Sequence, residues 1–181
     1  MAELDVGGPI LYLLRHGQTE WNVAGRSQGR LDSPLTELGR AVATAELVLA
    51  GRDVPLTLLD DLAELDSGAV SGFTLDERQS RFPEVAEQRD RDIFNTPFPG
   101  GESYASALPR VQRVAELLRS QSAGPVLIVS HEMLGRLLRL ALLDLSPAEA
   151  MSLGHPQDAI YRLEERQLTV SCSGGTFVPL P

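Results

Sequence analysis

Cysteine is nearly absent from this 181-residue chain, where Cys172 stands alone. One thiol cannot form an intramolecular disulfide or a thiolate metal site, and Cys172 reads as inert core or edge. No apolar run reaches membrane-spanning length, and no basic N-terminal segment is followed by an apolar one. Positive charge is also short, with 16 Lys+Arg against 25 Asp+Glu and a formal net charge of −9. Nucleic acid needs a basic face, so it is not an expected partner, nor is a membrane. A small anion remains open, because a few local arginines can override the global sign. No cluster of His, Cys and carboxylates has metal-ligand spacing, so neither metal nor cofactor is expected. Repeats, low-complexity tracts and linkers are missing as well. What is left is a cytoplasmic globular protein of one domain covering 1–181, with residues 1–9 as a loose leader. Its oligomeric state is open, a homodimer included.

Two apolar runs dominate what is present. Residues 10–14 (ILYLL) end abruptly at Arg15-His16-Gly17, and residues 126–130 (VLIVS) end at His131. Both read as buried strands. Residues 56–59 read as a further short strand, and 159–163 with 168–171 as a closing pair turning at Glu165-Arg166. Between them lie helical patterns. One spans 37–50 behind Thr36 as N-cap, with Gly51 as its stop. Another opens at the Thr74/Glu77 capping box and ends or kinks at Phe82-Pro83. A third covers 108–118, with Pro109 in its first turn, and a fourth covers 133–143. Ser146 and Glu149 form a second capping box. Residues 18–33, 60–72 and 95–101 read as loops. Strands alternating with helices imply an α/β fold, a three-layer α/β/α domain with a mainly parallel sheet.

In such sheets ligands bind outside the carboxyl ends of the strands. Parallel neighbours would bring His16 and His131 to one edge, with Arg15 beside them. A planar guanidinium and an imidazole suit an oxygen-rich dianion such as phosphate. His155, ahead of Pro156, reads as a loop residue, and Trp21 as packing.

The run Leu14-Arg15-His16-Gly17-Gln18-Thr19-Glu20-Trp21-Asn22 resembles the opening motif of the histidine phosphatase superfamily, the phosphoglycerate mutase-like fold. The similarity continues at Asp32-Ser33-Pro34-Leu35-Thr36-Glu37-Leu38-Gly39 and at Leu62-Ala63-Glu64, with Gly68 and Gly72 behind it. It returns at Pro99-Gly100-Gly101-Glu102-Ser103 and at Val129-Ser130-His131. The resemblance implies that His16 is the nucleophile, Arg15 a phosphate clamp, and His131 a second group on the transferring phosphoryl. Asn22 would donate to the same oxygens, with capping of a turn as the alternative. Glu64 would protonate the leaving oxygen and then activate water. Spacing alone does not separate Glu64 from Asp60, Asp61 and Asp66; the resemblance chooses it. Gln28 and Gly29 fall where the family often lines its phosphate pocket, and a polar loop explains them as easily. The implied activity is that of a histidine acid phosphatase-type phosphoric monoester hydrolase, metal-independent, acting on a small phosphorylated metabolite through a phosphohistidine.

Two departures stand out. The family usually carries the rest of a helix, a strand and a loop between the Leu-Thr-x-x-Gly helix start and a second arginine in Arg-Ala-x-x-Thr-Ala. Here Gly39 runs directly into Arg40-Ala41-Val42-Ala43-Thr44-Ala45. The fold is thus shortened by a helix-strand segment, and Arg40 is either the second phosphate clamp or an ordinary helix arginine. The second departure is Glu132, where the family commonly has Gly; its carboxylate enters the substrate-binding set. Two alternatives stand beside the phosphatase. One is a phosphoglycerate mutase-type phosphotransferase, disfavoured by the short chain. The other is a degenerate member that binds phospholigands without turnover.

Overall fold

Leu11–Arg15 forms β1 and Val126–Ser130 forms β2, and the two pair in parallel at one end of the five-stranded sheet formed by the described residues. A computed structural model describes residues 8–27, 37–121, 124–172 and 174–179, with the side chains of 37–40 outside that description. The expected leader therefore lies almost wholly outside the described residues, as do Gln28 and Gly29. The remaining strands are β3 (Ala159–Glu164), β4 (Gln167–Cys172) and β5 (Val178–Pro179). Their order is β2-β1-β3-β4-β5.

The α/β fold expected from the sequence is present, with parallel pairing confined to β1 and β2. β3 runs antiparallel to β1, β4 to β3 and β5 to β4, so the sheet is mixed. β4 follows β3 after two residues, and so short a connection permits only antiparallel pairing. β3 and β4 join through Glu165 and Arg166, both at positive φ (46° and 65°) as a two-residue hairpin requires.

The helices are α1 (Glu20–Val23), α2 (Glu37–Leu49), α3 (Leu75–Arg81), α4 (Pro83–Arg91), α5 (Tyr104–Arg119), α6 (Glu132–Leu143) and α7 (Pro147–Ser152). Short 3₁₀ turns occupy Asp60–Leu62 and Gly68–Val70. Thr74 and Ser146 cap α3 and α7 through the expected boxes. Pro83 sits at the first turn of α4, where its missing N–H costs nothing. α5 starts four residues earlier than expected, because Ser103 and Ser106 form a capping box. Pro109 consequently lies inside α5 rather than in its first turn.

Alternate residues of the central strands share one face. Leu11, Leu13, Ile128, Tyr161 and Leu163 pack there against Ala107, Val111 and Val114 of α5 and Leu134, Leu137 and Leu138 of α6. Each fully buried leucine contributes about 1.5–3 kcal/mol. α2 packs on β2.

The strand expected at residues 56–59 is not formed. The segment joins no ladder, and Leu56 and Leu58 are about half exposed. A strand needs a partner edge, and only a few residues after Leu49 separate α2 from this segment. No strand intervenes there to bridge it to β2. β2 has a single strand neighbour among the described residues, and Leu127 on it is exposed. No helix of the described residues is long and apolar enough to cross a membrane.

Candidate active site

The register of the parallel pair positions the site. Arg15 lies opposite Ser130, so His16 and His131 are the next residues at the same sheet edge. The His16 N–H donates to the Ser130 carbonyl at 2.9 Å and ties the two strand ends together. Both imidazoles are buried, with ring centroids 5.0 Å apart and planes at 59°. His16 Nδ1 lies 2.7 Å from the Gly17 carbonyl oxygen. A carbonyl can only accept, so Nδ1 carries the proton and a neutral ring has its lone pair on Nε2. The Gly17 N–H donates to Thr44 Oγ1 at 3.0 Å, which anchors this loop to α2.

Glu64 arrives from a distant segment and meets the first turn of α6. Its Oε1 accepts from the Leu65 and Leu134 N–H groups and its Oε2 from Met133, each at 3.0 Å. His131 is the N-cap of α6 but makes no side-chain capping bond, so Glu64 satisfies the helix's open donors instead. Burial lifts the Glu64 carboxyl above its ordinary range. The three N–H donors pull it back, and the nearby Glu132 charge adds to the rise. Arg110 of α5 holds the segment leading to Glu64. Its guanidinium donates to the carbonyls of Asp61 and Ala63 (2.7 Å each) and Glu64 (3.3 Å), and pairs with Glu102. Glu102 in turn accepts from the Asp66 N–H at 2.9 Å. This explains Pro99-Gly100-Gly101-Glu102. A Cβ on Gly101 would lie 2.3 Å from the Asp66 carbonyl oxygen, so only glycine lets the two loops close together.

Asn22 caps the turn, one of the two readings offered for it. Its Oδ1 closes a capping box by accepting from the Thr19 N–H and hydroxyl, and also accepts from Gln157 Nε2 at 3.0 Å. The oxygen is thereby fixed, and the amide lines the cavity. Arg15 donates to the His155 carbonyl at 3.3 Å and lies 3.3 Å from Glu132 Oε2. Glu132 Oε1 meets Arg136 at 3.1 Å. Arg15, His16, Asn22, Glu64, His131 and Glu132 all line one cavity of about 570 Å³. Its far wall comes from α3 and α4, with Leu75, Phe82 and Val85 beside Arg78 and Arg89. Arg40 lies in α2, but its side chain is outside the described residues.

Sequence reasoning missed several contributors. Gln157, Arg136 and Tyr104 line the cavity without any local signal, because they come from remote loops and helices. Burial pushes the Tyr104 hydroxyl up to about 12. His155 was expected as a loop residue. It sits in a loop, yet its side chain is 2% exposed and stacks on Tyr161 at 5.1 Å. Burial, reinforced by Arg139, Arg15 and Arg136, pushes its imidazole down to about 3. Cys172 is exposed at the end of β4. Among the described residues no group of three or more His, Cys, Asp or Glu side chains could hold a metal ion.

Comparison with known proteins agrees with this geometry. The pattern of the histidine phosphatase superfamily (branch 1) matches residues 11–43 and 37–172. The two matches share residues 37–43. Phosphoserine phosphatase 1 of Hydrogenobacter thermophilus is 28% identical over 92% of this chain and 95% of its own length. A Caenorhabditis elegans 6-phosphofructo-2-kinase/fructose-2,6-bisphosphatase is 30% identical over 86% of this chain, which spans only 39% of that protein. A mycobacterial glucosyl-3-phosphoglycerate phosphatase superposes with a TM-score of 0.75 at 27% identity, covering 93% of this chain and 100% of the other.

Proposed function

The chain belongs to the histidine phosphatase superfamily, and from that premise we propose that it is a metal-independent phosphomonoesterase of the histidine acid phosphatase type, working through a phosphohistidine. The carrying observation is the facing pair His16 and His131 at one sheet edge, with Glu64 buried on the same cavity and its carboxyl raised by that burial. His16 Nε2 attacks phosphorus as the ester P–O bond breaks. Glu64 gives its proton to the departing alkoxide oxygen. Water then attacks the phosphohistidine, losing a proton to Glu64, and releases inorganic phosphate with His16 restored. Arg15, Asn22 and His131 hold the three equatorial oxygens. Gln28 and Gly29 join them in this reading, and Arg40 supplies the second guanidinium. Catalysis of this kind rests on positioning and charge neutralisation. Glu64 as acid and then base contributes on the order of 10²–10⁴-fold.

The named relatives act on phosphoserine and on glucosyl-3-phosphoglycerate. A cavity of about 570 Å³ suits an alcohol of comparable size, and we assign the substrate class as small phosphorylated metabolites. The test is hydrolysis of radiolabelled 4-nitrophenyl phosphate by the wild type and by His16→Ala, with an alkaline quench that preserves protein-bound phosphohistidine. The variant should lose turnover and labelling together while its circular dichroism is unchanged. A variant keeping a tenth of the wild-type rate would remove His16 as nucleophile.

A further inference from the structure

Glu132 puts a carboxylate where an anion is expected to bind. It is the first residue of α6, directly after His131. Its Oε2 lies 3.3 Å from Arg15 and its Oε1 3.1 Å from Arg136. Arg136 is held in turn by its bond to the Met151 carbonyl at 2.8 Å. The Glu132 charge reaches Glu64 and Tyr104, raising the proton affinity of both. Glu132 directly precedes Met133, whose N–H donates to Glu64, and lines the same cavity, so it stands near the point where a leaving alcohol would take its proton.

On the phosphomonoesterase reading, on which this inference rests, a phosphate dianion takes over the Arg15 donors. Oε2 then loses its cation and faces a dianion, while Arg136 continues to neutralise Oε1. Water can solvate that oxygen, since the side chain is 40% exposed, but a cationic donor binds it more strongly. The alcohol portion of the substrate is the group that enters beside it. We propose that Glu132 is a specificity-determining residue, selecting phosphomonoesters whose alcohol carries an ammonium or similar cationic donor two or three atoms from the ester oxygen. Esters with a carboxylate at that position are turned away by like-charge repulsion. Glu132 also competes for Arg15, but that competition weakens every phosphate ester alike. The ratio between esters isolates the selection.

Three esters of matched length test it: O-phosphoethanolamine, ethyl phosphate and phosphoglycolate. Values of kcat/KM are measured for the wild type and for Glu132→Gln, which keeps the shape and one acceptor oxygen but removes the charge. The wild type should prefer them in the order given. In Glu132→Gln the ratio of phosphoethanolamine to phosphoglycolate should fall tenfold or more, the two moving in opposite directions relative to ethyl phosphate. A common shift of all three by one factor would overturn the proposal, as would a wild-type preference for phosphoglycolate. If the wild type hydrolyses none of these and no 4-nitrophenyl phosphate, it is the phosphomonoesterase reading that fails. Calorimetric binding of the same three esters then decides the selection separately. The same order, lost in Glu132→Gln, supports it, and equal affinities overturn it.

Discussion

Arg110→Ala is the perturbation that best separates support of Glu64 from general stability. In α5, the Arg110 side chain is 11% exposed and its partner Glu102 22%. The substitution deletes hydrogen bonds to three carbonyls of the segment entering Glu64 and leaves Glu102 without its cation. Breaking a buried ion pair from one side costs about 3–5 kcal/mol. Partial exposure reduces this to roughly 2–3 kcal/mol here. In a chain of this size that lowers Tm by roughly 5–10 °C. The kinetic consequence depends on the leaving group. An alkoxide must be protonated as it departs, so a misplaced Glu64 should lower kcat for an alkyl phosphate by about a hundredfold. A 4-nitrophenolate leaves without that proton and should lose only about tenfold or less. Steady-state rates on paired alkyl and aryl phosphates, below the melting transition, read the difference. Arg110→Lys should resemble Ala, because a point charge cannot reach three carbonyls at once. Equal losses on both esters would refute the link from Arg110 to Glu64, as would full activity despite the lower Tm.

Gly135→Ala places a Cβ 2.6 Å from His155 Cδ2, and that ring is buried, so overpacking of about 1–3 kcal/mol should outweigh the helix-propensity gain in a denaturant melt. His155 is depressed from 6.5 to about 3 on folding, so its contribution is complete above pH 6.5 and is lost as pH falls toward 3. At pH 5 this amounts to about 2 kcal/mol, and His155→Gln should flatten that part of the stability-against-pH curve relative to the wild type. Glu64 acts in the opposite direction, since its raised carboxyl costs stability as pH rises above 4.5, and it remains in both proteins. Arg40→Ala should lower kcat by about a hundredfold if the shortened segment supplies the second guanidinium. It should leave kcat unchanged, with a stability change within about 0.5 kcal/mol, if Arg40 is an ordinary helix residue. Chelators should leave phosphatase activity intact, and activity lost in EDTA and restored by one divalent ion would contradict the mechanism.

The two histidines were legible because their signal is local. An apolar run long enough for a strand, ended by a polar residue, fixes both the element and the end at which the side chain emerges. The capping boxes at Thr74 and Ser146 were legible for the same reason, as their partners lie three residues away. Residues 56–59 misled because an apolar run gives β-propensity but no partner edge. Pro109 misled because the Ser103–Ser106 box started α5 earlier than the apolar spacing indicated. Glu64 was not separable by spacing from the acids around it. What distinguishes it is its meeting with the first turn of α6, some seventy residues later in the chain.

By itself the sequence determined two strands each closed by a histidine, helices between them, and the order of motifs that marks the superfamily. Those features depend on period, capping and chain order, which neighbouring residues settle among themselves. Tertiary structure alone decided that Gln157 fixes Asn22, that Arg110 supports Glu64, that His155 is buried under Gly135, and that Glu132 sits between Arg15 and Arg136. Each is a contact made across packed elements, apart from the short Glu132–Arg136 step along α6. The strength of each depends on burial and on the charges gathered around it, neither of which exists until the sheet edge and the helix start have come together.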